Sequence, residues 1–146
     1  MSCPPDRAPS QSSDSAATTQ AVSLYHQGTD LEQRGENRAA LDCYRQAIAL
    51  KADYYEAWVR QGLVLMLLQE LSSALASFNQ ALALNRSLDL AWYLKAYCHM
   101  VMDAEELAQL ALRKALTLAP ERWGPMAAQE PVFVRFKDHP DFPELG

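Results

Sequence analysis

The sequence has little of what catalytic, metal-binding or membrane-spanning chains display. It holds three cysteines, Cys3, Cys43 and Cys98, far apart and with no CxxC spacing. Neither a disulfide scaffold nor a zinc knuckle is expected, and a reducing, cytoplasmic setting is. The three histidines, His26, His99 and His139, lie in different stretches without metal-ligand spacing. No metal and no cofactor are therefore expected. There is no GxSxG elbow, no phosphate-cradling glycine loop, no HExxH and no paired carboxylates in a predicted pocket, so the expectation is that the chain is not an enzyme. The longest uninterrupted apolar run, Gly62 to Leu68, has 7 residues, against the roughly 18 that a membrane helix needs. The opening MSCPPDRAPSQSSDS places proline, serine and aspartate where a secretory signal carries apolar residues, so export by that route is not expected. Lysine and arginine number 13 against 18 acidic residues, a net charge of −5. That balance disfavours nucleic acid, whose phosphates are neutralised by clustered cations.

What is present is 49% apolar residues in a chain of 146, too apolar for disorder and long enough for one core. Residues 1–20 carry proline, serine and threonine with no apolar periodicity and read as a disordered tail. From residue 21 a 34-residue period governs the sequence. Gly28, Gly62 and Ala96 are in register, as are Ala40, Ala74 and Ala108, and Ala47, Ala81 and Ala115. With five glycines and 23 alanines in the chain, chance occupancy of nine such positions is on the order of 10⁻⁷, so the repeat is real. Tyr44, Phe78 and Leu112 share a second register, and Leu24, Trp58 and Trp92 a third.

Each unit reads as two helices. Leu24, Gly28 and Leu31 share one face of a first helix, as do Trp58, Gly62 and Leu65. The alanines and the Tyr, Phe or Leu between them mark the second helix. Small residues on facing sides let backbones approach, and the larger side chain fills the remaining space. Gly35 and the QELSS stretch end the first two helix pairs' opening helices, and Asp103 with Glu106 suggests a capping box at the start of the last helix. Pro120 ends that helix.

The spacing Trp58, Gly62, Leu65, Ala74, Phe78, Ala81 resembles the tetratricopeptide repeat family. The likeness covers residues 21–122, about 70% of the chain, as units 21–54, 55–88 and 89–122. Gln27, Gln61 and Lys95 stand where the family has leucine, and His99 where it has an aromatic. The resemblance implies an all-α, right-handed solenoid of three helix-turn-helix repeats in a small stand-alone protein. Residues 123–146 are then a capping segment, since the last repeat of a solenoid exposes an apolar face. Gly124, Pro125, Pro131, Pro140 and Pro143 are expected to exclude a long helix there. Two short turns, PVFVRFK and PDFPEL, would present Val132, Phe133, Phe136, Phe142 and Leu145 either to the outside of the third repeat or to the groove as a built-in competitor.

The same resemblance implies a concave surface formed by the first helices. In register, the partner-binding groove comprises Val59, Leu63, Met66, Leu67, Leu90, Tyr93, Tyr97 and Met100, with Tyr93 and Tyr97 as anchors. Some family members grip a peptide's terminal carboxylate with basic side chains. The matching positions here are Tyr25, Thr29, Arg60, Leu90 and Leu94, and Arg60 is the one cation among them. A single positive charge does not make a multi-donor carboxylate site. The expected function is a protein–protein adaptor or assembly chaperone that takes an apolar peptide or helix, as a monomer or homodimer. The alternatives are self-association and a likeness to three-repeat secretion chaperones.

Overall fold

The computed structural model describes residues 7–145, and every regular element in them is helical. Helices α1 (Arg7–Gln33), α2 (Asn37–Leu50), α3 (Tyr55–Leu67), α4 (Leu71–Leu84), α5 (Asp89–Val101), α6 (Glu105–Leu118) and α7 (Pro120–Gln129) are followed by 3-10 turns at Pro131–Phe136 and Pro143–Leu145. α1 packs on α2, α3 on α4 and α5 on α6, while α2–α3 and α4–α5 contacts join successive pairs. No helix among the described residues is long and apolar enough to cross a membrane.

Packing within each pair is set by one ring and one missing side chain. A Cβ added to Gly28 would lie 2.5 Å from Tyr44 Cε1, and one added to Gly62 would lie 2.5 Å from Phe78 Cε1. Tyr44 and Phe78 are both fully buried. In the third pair the aliphatic Leu112 takes the place of the ring and Ala96 that of the glycine, both fully buried. A smaller knob leaves room for one methyl, so volume is conserved across the contact.

The 34-residue period also governs the turns. Gly35, Gln69 and Asp103 all adopt positive φ, at 79°, 64° and 60°. At each, the next residue's N–H reaches back five residues (Glu36 to Leu31, Glu70 to Leu65, Ala104 to His99, at 2.9, 2.8 and 2.8 Å). This is the hydrogen-bond pattern that closes a helix on a left-handed residue. Asp103 thus ends α5 and is not the cap of α6, whose N-cap is Ala104 without a side-chain bond. The indole N–H groups follow the period as well, with Trp58 donating to the Ala52 carbonyl and Trp92 to that of Arg86, at 2.9 and 3.0 Å.

Of the segment 1–20 read as a disordered tail, residues 1–6 lie outside the described residues, and 7–20 are helical, running without a break into the first repeat. Among residues 15–21, Ala21 is buried and 15–20 are mostly exposed. Their helicity is therefore local. Once the first repeat has nucleated the helix, each added residue extends it without a new nucleation cost, and Pro9 falls in the first turn, where an amide donor is not needed.

The C-terminal segment also differs from expectation. Pro120 both stops α6 and starts α7, a helix of 10 residues that contains Pro125. Gly124 precedes that proline and has no Cβ to meet its ring, which relieves the usual clash against helical backbone. The two expected turns follow, the second starting at Pro143, not Pro140.

Candidate functional site

The end of the solenoid is closed by an aromatic stack. Trp123 of α7 lies parallel to Tyr93 of α5 with ring centres 4.3 Å apart, and Phe133 meets the same tyrosine edge-on at 5.5 Å. Phe136 and Phe142 stack behind them at 5.2 Å. Trp123, Phe133, Phe136, Phe142 and Leu145 are all buried, in one cluster with Met100, Leu112 and Leu116. The Trp123 indole donates to Asp89 Oδ2 at 2.7 Å, and Arg122 reaches the same oxygen at 3.2 Å. Arg113 to Asp141 (2.7 Å) and Arg135 to Glu105 (3.5 Å) tie the tail to α6. The tail thus occupies the place of a further repeat. Trp123 was not among the residues singled out from sequence. Its signal there is a lone tryptophan three residues after a helix-stopping proline.

This cap removes two groove candidates. Tyr93 and Met100 are 6% and 7% exposed and belong to the cap cluster, so Tyr93 is not free to anchor a ligand. Burial, with smaller effects from Glu130 and Tyr97, pushes its phenol up to about 12. Val59 is buried as well, at the floor of a cavity. Leu63, Met66, Leu90 and Tyr97 are half-buried and Leu67 is exposed.

The groove holds two cavities. One, of about 260 Å³, lies between Tyr25, Glu56, Val59, Arg60, Leu63 and Leu90. The other, of about 290 Å³, is lined by Leu63, Met66, Leu67, Leu71, Tyr97 and Val101. Leu63 is the wall they share. Among the described residues, none of the capping segment lines either cavity, so the tail packs on the third repeat and not in the groove.

The one cation at the groove is already engaged. Glu32 Oε2 lies 3.4 Å from Arg60 Nη1, and Glu32 Oε1 accepts a 2.6 Å bond from the Tyr44 hydroxyl. Burial works against the Arg60 guanidinium, but the Tyr25 hydroxyl and the Glu32 carboxylate outweigh it and hold the charge. Burial first, then the bond to Glu32, drives Tyr44 far above the usual tyrosine range. This half-buried carboxylate–phenol–guanidinium group bridges the first and second repeats at the polar end of the groove.

Elsewhere, Cys98 is fully buried and burial pushes its thiol up to about 11. His99 is lowered by burial and by Lys95. Among the described residues, no three His, Cys, Asp or Glu side chains come together as a metal-ligating group.

A profile of the family described as tetratricopeptide repeat matches residues 55–88 and 90–122. No curated protein matches the sequence. Solved structures share the fold at low identity. The first tetratricopeptide-repeat domain of Spaghetti (RPAP3), bound to the HSP90 peptide SRMEEVD, is 18% identical with a TM-score of 0.71, covering 88% of this chain and 91% of that one. MamA is 17% identical with a TM-score of 0.74, over 86% and 71% of the two chains. The Arabidopsis OM64 domain is 15% identical with a TM-score of 0.71, over 73% and 88%.

Proposed function

We propose that this chain, whose residues 55–88 and 90–122 match the tetratricopeptide-repeat profile, is a non-enzymatic adaptor or assembly chaperone whose groove takes an apolar segment of another protein. The supporting observation is the pair of cavities that meet at Leu63. They are lined mainly by Leu, Met, Val and Tyr side chains, and Leu67 and Val101 beside them are 55% and 44% exposed. An extended peptide or a helix can place one apolar side chain in each cavity, with Leu63 between them. Leucine and methionine adapt to varied shapes, and Tyr97 adds rigid contact area with a polar tip. Val59 contributes the floor, while Tyr93 and Met100 act through the cap.

An acidic terminal tail fits this groove poorly. Spaghetti was solved with a peptide ending in Glu-Val-Asp. Here Tyr25, Thr29, Leu90 and Leu94 offer no cation, and Arg60 is paired with Glu32. A buried carboxylate without charged donors is costly, so apolar contacts carry the affinity.

The test is capture of partners from lysate by the wild type and by a Leu63→Ala/Tyr97→Ala variant that keeps its unfolding midpoint. A partner identified with the wild type should bind the variant about thirtyfold more weakly, the loss expected for truncating buried anchors. Equal affinity would remove the groove from the reading. Light scattering decides the self-association alternative, since a monomer mass independent of concentration excludes it.

A further inference from the structure

The convex side carries a second recessed face that the groove does not explain. Trp58, Gln61, Leu65, Ser73, Ala76 and Gln80 line a recess of about 330 Å³ in the middle of the chain. Exactly one period on, Trp92, Lys95, His99, Leu107, Leu110 and Lys114 line the equivalent recess, of about 470 Å³. It continues past Trp92, Lys95 and Lys114 into a further 640 Å³ bounded by Arg86 and Leu118. The helices of the two copies have the same lengths and spacing, while their side chains differ.

In the first copy the polar groups satisfy one another. Gln61 donates to the Ser77 hydroxyl at 2.9 Å. In the second copy Lys95 stands in place of Gln61 and Ala111 in place of Ser77, so that partner is gone. The Lys95 ammonium sits 5.2 Å over the Trp92 ring, half-buried. Among the described residues, none of Arg86, Lys95 or Lys114 forms an ion pair with a carboxylate, and no acidic residue lines the recess. Burial disfavours the charge on Lys95, and an incoming anion would favour it. Beside these cations Leu107, Leu110 and Leu118 are 52%, 57% and 44% exposed. Their counterparts Ser73, Ala76 and Leu84 include two small residues. The third copy has therefore gained both cations and exposed leucines on one face of a chain whose net charge is −5.

We propose that the recess between α4, α5 and α6 is a second docking site, which takes an acidic segment of another protein with an apolar side chain at one end. The carboxylates lie toward Lys95, Lys114 and Arg86, and the apolar side chain lies against Leu107 and Leu110. Leu107 and Leu118 are separated by roughly 16 Å along α6 at 1.5 Å per residue, the span of about five extended residues. A concave recess between helices suits a polypeptide better than a bilayer surface, and the overall negative charge repels anionic lipid.

The probe is a peptide with fluorescein on its N-terminal amine, fluorescein-Leu-Phe-Asp-Glu-Ala-Glu-amide, read by fluorescence polarisation against the full chain. Its Asn-Gln-Ala-Gln counterpart and phosphatidylserine vesicles are run in parallel. The variant is Lys95→Gln/Leu110→Ala/Lys114→Gln, in which each substitution installs the residue the middle repeat already carries. The acidic peptide should bind, lose affinity with added salt, and bind the variant at least about tenfold more weakly, which is 1.4 kcal/mol. Leu63→Ala/Tyr97→Ala should leave that binding unchanged, which separates this site from the groove. Three results would each overturn the proposal: no binding by the wild type, equal binding of the uncharged peptide, or equal binding by the triple variant. Vesicle binding in place of peptide binding would assign the face to anionic lipid and overturn it too.

Discussion

Replacing Trp123 with alanine tests whether the C-terminal segment closes the solenoid as a structural layer. Trp123 is 2% exposed, stacks on Tyr93 at 4.3 Å and donates to Asp89 at 2.7 Å. Truncating a buried tryptophan costs about 3–5 kcal/mol through lost transfer energy and the cavity left behind. The hydrogen bond to a carboxylate is part of that loss, because Asp89, with its side chain 25% exposed, retains Arg122 at 3.2 Å. Trp123→Phe keeps a ring on Tyr93 and gives up the indole N–H, so it should cost about 1–2 kcal/mol. The measurement is urea unfolding of wild type, Trp123→Phe and Trp123→Ala, with free energies from midpoint and slope. Stacked repeats couple only to their neighbours, so Trp123→Ala should fray the third pair first and lower the slope. A loss below about 1 kcal/mol with an unchanged slope would refute the capping role and return Tyr93 to the surface.

Further expectations follow from the packing and the turns. Gly62→Ala should destabilise by about 1–3 kcal/mol, because its new Cβ meets Phe78. Adding Phe78→Leu reproduces the Ala96–Leu112 pair, so the double mutant should be more stable than the two single losses predict, as a double-mutant cycle would show. Gln69→Gly should stabilise by about 1 kcal/mol in thermal unfolding, since Gln69 holds a φ of 64° that glycine adopts freely. The buried phenols make the chain sensitive to alkali. Tyr93 is raised to about 12 and Tyr44 is raised further, so above the ordinary value near 10 the unfolded chain loses protons that the folded one keeps. Their stabilisation is complete below pH 10 and is lost as pH rises toward 12. Tyrosinate absorbance should then lag for these two residues until unfolding, and early titration of Tyr93 would show that the cap is open.

The sequence alone determined the repeat and nearly everything local to it. The 34-residue register of glycine, alanine and aromatic residues encodes which faces touch within each pair, because those contacts join residues 16 apart, such as Gly62 and Phe78. It also carried the likeness to its family and the near absence of cations from the groove. What it did not decide was which register positions stay exposed. Val59, Tyr93 and Met100 share a helix face with Leu63, Leu67 and Tyr97, yet the first three are buried. Tyr93 and Met100 are covered by the segment after Pro120, whose placement on α5 no periodicity announces. The pairing of Arg60 with Glu32 likewise joins residues 28 apart, and the lysines and leucines of the convex recess come from two different helices. Short-range order repeats with the sequence and can be read from it. Burial depends on what the rest of the chain lays across a surface, and that was set when the helices packed.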